Sequence, residues 1–264
     1  MTAIPFTPEI VEDDTHRHHP HLGARISHRL ARHIPLQPMR MRGGPILSLT
    51  FDDVPVSALT EGAPLLEAHR VRGTFYIAGG LLHRRTPDWQ MIDAQGVCEL
   101  HARGHEIACH SFSHRRADRA GGRFIAEDII RNRNFLRSIE PALPLENFAY
   151  PYGYGSFGWK RKLARNFRSC RGILPGLNAG FFDPQFLDAV PLYANRIDRD
   201  GIERALDEAC ERHGWLVFYT HDVTARPSDY GCTPALLAHT LRAAEARGIA
   251  CLSIAEALAK ISAS

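Results

Sequence analysis

No apolar run in this chain of 264 residues approaches the length needed to cross a bilayer, so a membrane-spanning helix is not expected. The opening stretch, MTAIPFTPEIVEDDTHRHH, lacks a basic segment followed by an apolar one, so a secretory leader is not expected either. There is no CxxC pair among the six cysteines, Cys98, Cys109, Cys170, Cys210, Cys232 and Cys251. Scattered thiols of this kind fit reduced, mostly buried side chains of a cytoplasmic protein better than a disulfide framework. Cys109 adjoins a histidine, but one isolated cysteine is a weak nucleophile signal. Excess charge of one sign is also missing: the net charge is +3 with neutral histidine, too mild for nucleic acid to be the main partner. Internal repeats and low-complexity segments are absent. The rest is ordinary for a soluble globular protein, with 44% apolar and 23% charged residues, enough for one large or two small domains.

Acidic residues are missing from one region in particular. Between Thr15 and Arg42 the chain carries six Arg, six His and no Asp or Glu. We therefore separate a basic, His-rich arm, residues 1–44, from a domain over residues 45–264. Within the arm, LGARISHRLARHI spaces Leu22, Ile26, Leu30 and Ile34 four apart, one stripe of a helix, with Arg25, Arg29 and Arg32 off the stripe. The plainer expectation is that this stripe packs on the domain. The alternative is a basic amphipathic helix resting on an anionic membrane surface.

From Gly43-Gly44 onward, strand and helix patterns alternate. PILSLTF, TFYIAG, HEIAC, NFAY, WLVFYT and IACLSI read as strands. Helices are expected over APLLEAHR, residues 88–103, RFIAEDIIRNRNFLRSI, a stretch near 157–168, GIERALDEACERHG and residues 233–247. This order argues for a parallel α/β sheet covered by helices, a barrel or a doubly wound sheet.

Polar signals recur where the predicted strands end. SLTFDDVP closes an apolar run on two adjacent carboxylates, Asp52 and Asp53. Neighbours on a strand point to opposite faces, so two such acids can take different jobs. A simple turn is the competing reading, since Asp and Pro favour turns. HSFSH, His110 to His114, follows HEIAC; FAYPYG contains Pro151 and Tyr152; THD, with His221, follows WLVFY. Functional groups collect at that end of the sheet in parallel barrels. A helical turn would bring His110 and His114 to one side, and two imidazoles with one carboxylate suit zinc with open positions for water and substrate. Fifteen histidines make chance pairs expected, and His114 also begins the basic run HRRADR.

In their order, TFDD, HSFSH, YPYG and THD resemble the motifs of the polysaccharide deacetylases, the NodB-homology enzymes of carbohydrate esterase family 4, over roughly residues 46 to 260. FDD followed by Pro-Val-Ser-Ala, then VRGTFYIAGG, is similar to a subgroup of bacterial exopolysaccharide and holdfast-type enzymes. The resemblance implies a distorted (β/α) barrel and N-deacetylation of N-acetylhexosamine units in a poly- or oligosaccharide. It implies that Asp53, His110 and His114 hold one divalent metal, zinc first, which makes a bound water more acidic. Asp52 would be the base and His221 the acid that protonates the leaving amine. The metal and the backbone N–H of Tyr152 would stabilise the oxyanion. Tyr152 and Pro151 would help hold the sugar, and Tyr219 would line the acetyl pocket.

The chain departs from the family pattern in three places. Ala149 stands where the family often has an Arg that orients the base, and Arg196 in NRIDRD is the candidate substitute. Val54 replaces a frequent Gly, which narrows that loop. No clean match exists to the family's usual Asp–Trp motif near residues 183–200, so the partner of His221 is open, with Asp198 and then Asp183 as candidates. The expected location is cytoplasmic, at most peripheral to the inner membrane face. The expected partner is an N-acetylated glycan, with a lipid-linked oligosaccharide preferred to mature wall or chitin. Two other readings stand: a small-molecule amide hydrolase on the same barrel, acting on a ureide or cyclic amide, and a catalytically silent carbohydrate-binding or scaffold protein. The metal-site residue types argue against the last.

Overall fold

The computed structural model describes residues 22–116 and 120–263. Residues 1–21 of the arm lie outside the described residues. In chain order the elements are α1 (Leu22–His33), β1 (Met39–Arg40), β2 (Ile46–Asp52), α2 (Ala63–Ala68), β3 (Thr74–Ile77), α3 (Ala94–Ala102), β4 (Glu106–Cys109), α4 (Gly122–Ile139) and β5 (Asn147–Ala149). They continue with α5 (Phe157–Leu163), β6 (Ser169–Arg171), β7 (Phe181–Phe182), β8 (Val190–Pro191), α6 (Arg199–Glu211), β9 (Trp215–Thr220), α7 (Pro234–Ala246), β10 (Ala250–Cys251) and α8 (Ile254–Ala263).

The main sheet runs β6-β5-β4-β3-β2-β9-β8, with β10 beside the start of β2, and every pairing is parallel. It curls: Leu187 N–H donates to the Cys170 carbonyl on β6, and Leu192 N–H, five residues on, donates to Tyr219 on β9. The segment 187–192 thus joins the two sides of the sheet, giving the distorted barrel that the family resemblance implied rather than an open doubly wound sheet. Period-two alternation sorts the side chains. Leu47, Leu49 and Phe51 of β2 join Phe75, Leu216 and Phe218 under the helices. Ile46 joins Tyr76, Ala108, Ala149, Trp215, Val217 and Tyr219 in a second cluster on the inner face. Asp52 shares the parity of Ile46, so its carboxylate enters the barrel rather than the helix layer.

The arm corrects one expectation. The apolar stripe of α1 does not pack on the domain: Leu22 is 72% exposed, Ile26 52% and Leu30 40%. α1 instead buries Ala31 and half-buries Ala24, Ser27 and His28 against the α5 side. Small side chains let the helix approach closely enough for main-chain bonding. Ser27 Oγ accepts from Phe157 N–H at 3.1 Å, and His28 Nδ1–H donates to the Gly155 carbonyl at 2.8 Å. The buried Lys160 ammonium donates to the carbonyls of Ala31 (2.7 Å) and Ile34 (2.8 Å) and pairs with Asp183 at 2.6 Å.

A second correction concerns the helix expected over 88–103. It begins only at Ala94, where the Asp93 side chain accepts from Gly96 N–H at 2.8 Å as an N-cap. Residues before it are strapped in extended form to the loop after β2, through Val56 N–H to the Gln90 carbonyl (2.8 Å) and Ile92 N–H to the Val54 carbonyl (3.2 Å). That strap carries Trp89.

Candidate active site

Asp52 is the last residue of β2, and Asp53 leaves the strand in the left-handed region, φ 58, followed by Val54 at φ 61. Two consecutive non-glycine residues there are strained, at a cost of order 1–3 kcal/mol each. The turn is closed by Val54 N–H to the Asp52 carbonyl. Its effect is to swing the second carboxylate back: the two acids do not diverge to opposite faces but reach one histidine cluster.

Asp53 Oδ1 lies 3.3 Å from His114 Nε2 and 3.7 Å from His110 Nε2, and Oδ2 lies 4.0 Å from His221 Nε2. His110 follows β4 directly and donates Nδ1–H to the Ala149 carbonyl at 2.9 Å, which turns Nε2 towards Asp53. The expected helical turn between His110 and His114 is not there. A loop brings them together, with Ser111 and His114 both at positive φ. Buried Asp128 of α4 gathers that loop by accepting from Phe112 N–H (2.9 Å), Ser113 N–H (3.1 Å) and Ser113 O–H.

These residues fit a divalent cation. One ligand atom from each of Asp53, His110 and His114 lies within 4.8 Å of the others. Asp53 Oδ1 is buried with no hydrogen-bond partner. Burial pushes the Asp53 carboxyl up, and the charge of Asp52 adds to that against the pull of His110, His221 and Arg171. Burial also pushes His110 and His114 down to about 4, so both rings are neutral near pH 7 and offer lone pairs. An anion without a partner beside two neutral imidazoles is the donor set of a facial metal site.

Asp52 has its own counter-charge, and it is not Arg196. Arg171, at the end of β6 and fully buried, donates from Nη2 to Asp52 Oδ1. Its guanidinium lies over the rings of Tyr76 (5.1 Å) and Tyr219 (5.0 Å). Burial pushes the Asp52 carboxyl up, but Arg171, with His110 and His221, outweighs it and holds the group below the ordinary value. Arg171 is the register partner of Ala149 across β5 and β6. The guanidinium missing at residue 149 is therefore supplied by the adjacent strand at the same level of the barrel. Arg196 sits exposed on a surface turn, where its N–H donates to the Tyr193 carbonyl.

His221, just after β9, donates Nδ1–H to the Tyr230 carbonyl at 3.2 Å and stacks on Trp89 at 5.2 Å and 14°. Trp89 Nε1–H is held by Asp222 at 3.0 Å, and Ser228 donates to the same carboxylate. Neither earlier candidate does this. Asp198 caps α6 by accepting from Gly201 N–H, and Asp183 is engaged with Lys160 and Leu36 N–H. An Asp88-Trp89 dipeptide was visible in the sequence, but inside an expected helix and outside the 183–200 window. Tyr152, at φ 56 and 43% exposed, sets its ring 4.6 Å from His114, next to buried Pro151. Gly153 follows at φ 64, where a Cβ would fall 2.0 Å from Ile173. Tyr219 is buried against Tyr193 at 5.3 Å. Cys109 is buried, accepts from Asn132, and burial pushes its thiol up to about 11, so it is no nucleophile.

The family model for polysaccharide deacetylase matches residues 40–167. A chitooligosaccharide deacetylase of Sinorhizobium fredii is 30% identical over 115 residues, 43% of this chain and 50% of that protein. The chain thus spans about half the length of this curated relative. Among solved structures, a family 4 acetyl xylan esterase from Clostridium thermocellum in complex with a cobalt ion aligns with TM-score 0.58 at 20% identity, covering 81% of this chain and 90% of that one. A mutant of a pseudoenzyme of the same esterase family aligns with TM-score 0.60 at 13% identity, covering 85% and 70%. At such identities these two show the fold, and the second shows that this fold also occurs without turnover. In motif order, in the match over residues 40–167 and in the curled parallel sheet, the chain is similar to the polysaccharide deacetylases of carbohydrate esterase family 4.

Proposed function

We propose that the chain is a metal-dependent carbohydrate N-deacetylase, acting on N-acetylhexosamine units of an oligo- or polysaccharide, with a lipid-linked exopolysaccharide precursor as the favoured substrate. The observation that carries this reading is the pairing of two differently served carboxylates: Asp52 with Arg171, Asp53 with His110, His114 and no cation of its own. A divalent ion held by Asp53, His110 and His114, zinc in our reading, would supply Lewis acidity to the acetamide and lower the pKa of a water. Asp52, kept ionised by Arg171, accepts the proton of the attacking water. The Tyr152 backbone N–H donates to the carbonyl oxygen as charge gathers there. His221 Nε2, aimed inward by the Tyr230 carbonyl and the Trp89 face, delivers a proton to the leaving amine. Water is added across the amide, giving acetate and a free sugar amine. Tyr219 lines the acetyl side, and exposed Tyr152 with Pro151 offers a surface to the sugar ring.

A cleft of about 790 Å³ adjoins the site through Trp89 and Asp222, lined also by Pro55, Glu61 and Arg226. The Asp53 cluster does not line it, so it lengthens the binding surface beyond the reacting bond, as a glycan chain requires and a small cyclic amide does not. The test is acetate release by zinc-reconstituted protein from a panel of N-acetylated oligosaccharides and small amides. Turnover of the glycans, abolished by chelation and restored by zinc, is the expected result. Turnover of small amides alone would replace the substrate class. Metal binding without turnover on any acylated compound would make the chain a silent binding protein.

A further inference from the structure

We propose that α1 is a docking face for an anionic bilayer surface, holding the domain on the membrane without crossing it. The motivating observation is an inversion. The small-residue face of α1 packs on the domain, and the face left in water carries Leu22, Ile26 and Leu30 interleaved with Arg25, Arg29 and Arg32. Ile34 extends the apolar line, 39% exposed. The helix has no acidic residue in its first turn and ends on Arg32 and His33. Three long apolar side chains turned to water on one helix have no folding rationale inside this domain. The helix is tied down from its other side by Lys160, Ser27 and His28.

The chemistry of that face selects the occupant. Twelve residues span about 18 Å, enough to lie in the headgroup layer with the apolar chains at the acyl boundary and the guanidinium groups among lipid phosphates. A second copy related by two-fold symmetry would set arginine rows against each other with no carboxylate to pair them. An anionic polymer in water would satisfy the arginines but leave Leu22, Ile26 and Leu30 unburied. Among the described residues no helix is long and apolar enough to cross a membrane, in keeping with a surface contact. The antiparallel β1–β7 pair adds a similar combination: Phe181 of β7 is exposed with Arg40 of β1 above its ring at 5.9 Å.

The test uses the full chain and sedimentation with vesicles, one set of equimolar phosphatidylglycerol and phosphatidylcholine, the other of phosphatidylcholine alone. Binding to the anionic set only, weakened by added salt, is expected. Arg25→Gln, Arg29→Gln and Arg32→Gln together should weaken it on the order of 100-fold, about fivefold for each arginine. Leu22→Gln, Ile26→Gln and Leu30→Gln together should weaken it roughly tenfold or more, because the acyl contact is lost. All six positions are exposed, so thermal melting and turnover of a soluble substrate should be unchanged. The proposal is overturned if the protein ignores anionic vesicles. It is equally overturned if the apolar variant binds them as well as the parent, which would leave a purely electrostatic site for soluble polyanions. A dimer in solution that the apolar variant converts to monomers would assign the face to a second copy instead.

Discussion

Replacing Asp52 by Asn should leave the metal in place and lower acetate release by about 100- to 10,000-fold, the usual contribution of a general base. Asp53→Asn should fail differently. It keeps the shape of the side chain but removes the one anionic member of the Asp53–His110–His114 set, so metal affinity should fall and activity with it. Excess zinc should restore part of the activity of Asp53→Asn and none of that of Asp52→Asn. Elemental analysis beside acetate release separates the two. Loss of metal from Asp52→Asn, with both metal and activity kept in Asp53→Asn, would reverse the assignments. Full activity in both would reduce FDD to a turn.

Arg171→Met should be nearly as damaging, and on two counts. The Asp52 carboxylate would remain buried without its counter-charge, and breaking one partner of a buried pair typically costs about 3–5 kcal/mol. The melting temperature should therefore drop. The sign of the pH effect follows from the parent: burial raises the Asp52 carboxyl, Arg171 with the histidines lowers it by more, and the net is a depressed value. The stability this contributes is present above the unfolded-state value and is lost as pH falls through the folded one. Without Arg171 burial prevails, the carboxyl rises, and the acidic limb of the rate profile should move to higher pH. Ala149→Arg in the same background should recover part of the rate, because Ala149 and Arg171 are register partners and a guanidinium from either can face Asp52. An unshifted profile in Arg171→Met, or a larger loss from Arg196→Ala, would exclude this role.

The sequence made the strand-end motifs legible because each is a short run placed by one strand. FDD, HSFSH, YPYG and THD all converge, and PILSLTF, expected as a strand, forms β2. What stayed hidden depends on pairing across the sheet or on left-handed turns. Arg171 reaches Asp52 from the far side of the barrel, 119 positions along the chain, and no linear spacing encodes that. Asp53 rejoins Asp52 on one side only because of two consecutive positive φ values that a Val would not suggest. Trp89 was hidden because a helical period continued upstream past Asp93, where the cap ends it. The four-residue spacing of Leu22, Ile26 and Leu30 defined a face of α1 but not which way it would turn. That was decided by Ala24, Ser27 and Ala31 on the opposite side.

The buried ammonium of Lys160 also bears on where this module begins. Family similarity starts at residue 40, yet an ion buried beneath α1 takes two of its three acceptors from the main chain of residues 31 and 34. A relative that lost the segment before residue 40 would have to replace Lys160 with an apolar residue or hydrate it, since each abandoned buried polar group costs about 1–3 kcal/mol. The residue at position 160 thus acts as a genetic marker: a buried lysine there should travel with an α1-like segment, and an aliphatic residue with its absence.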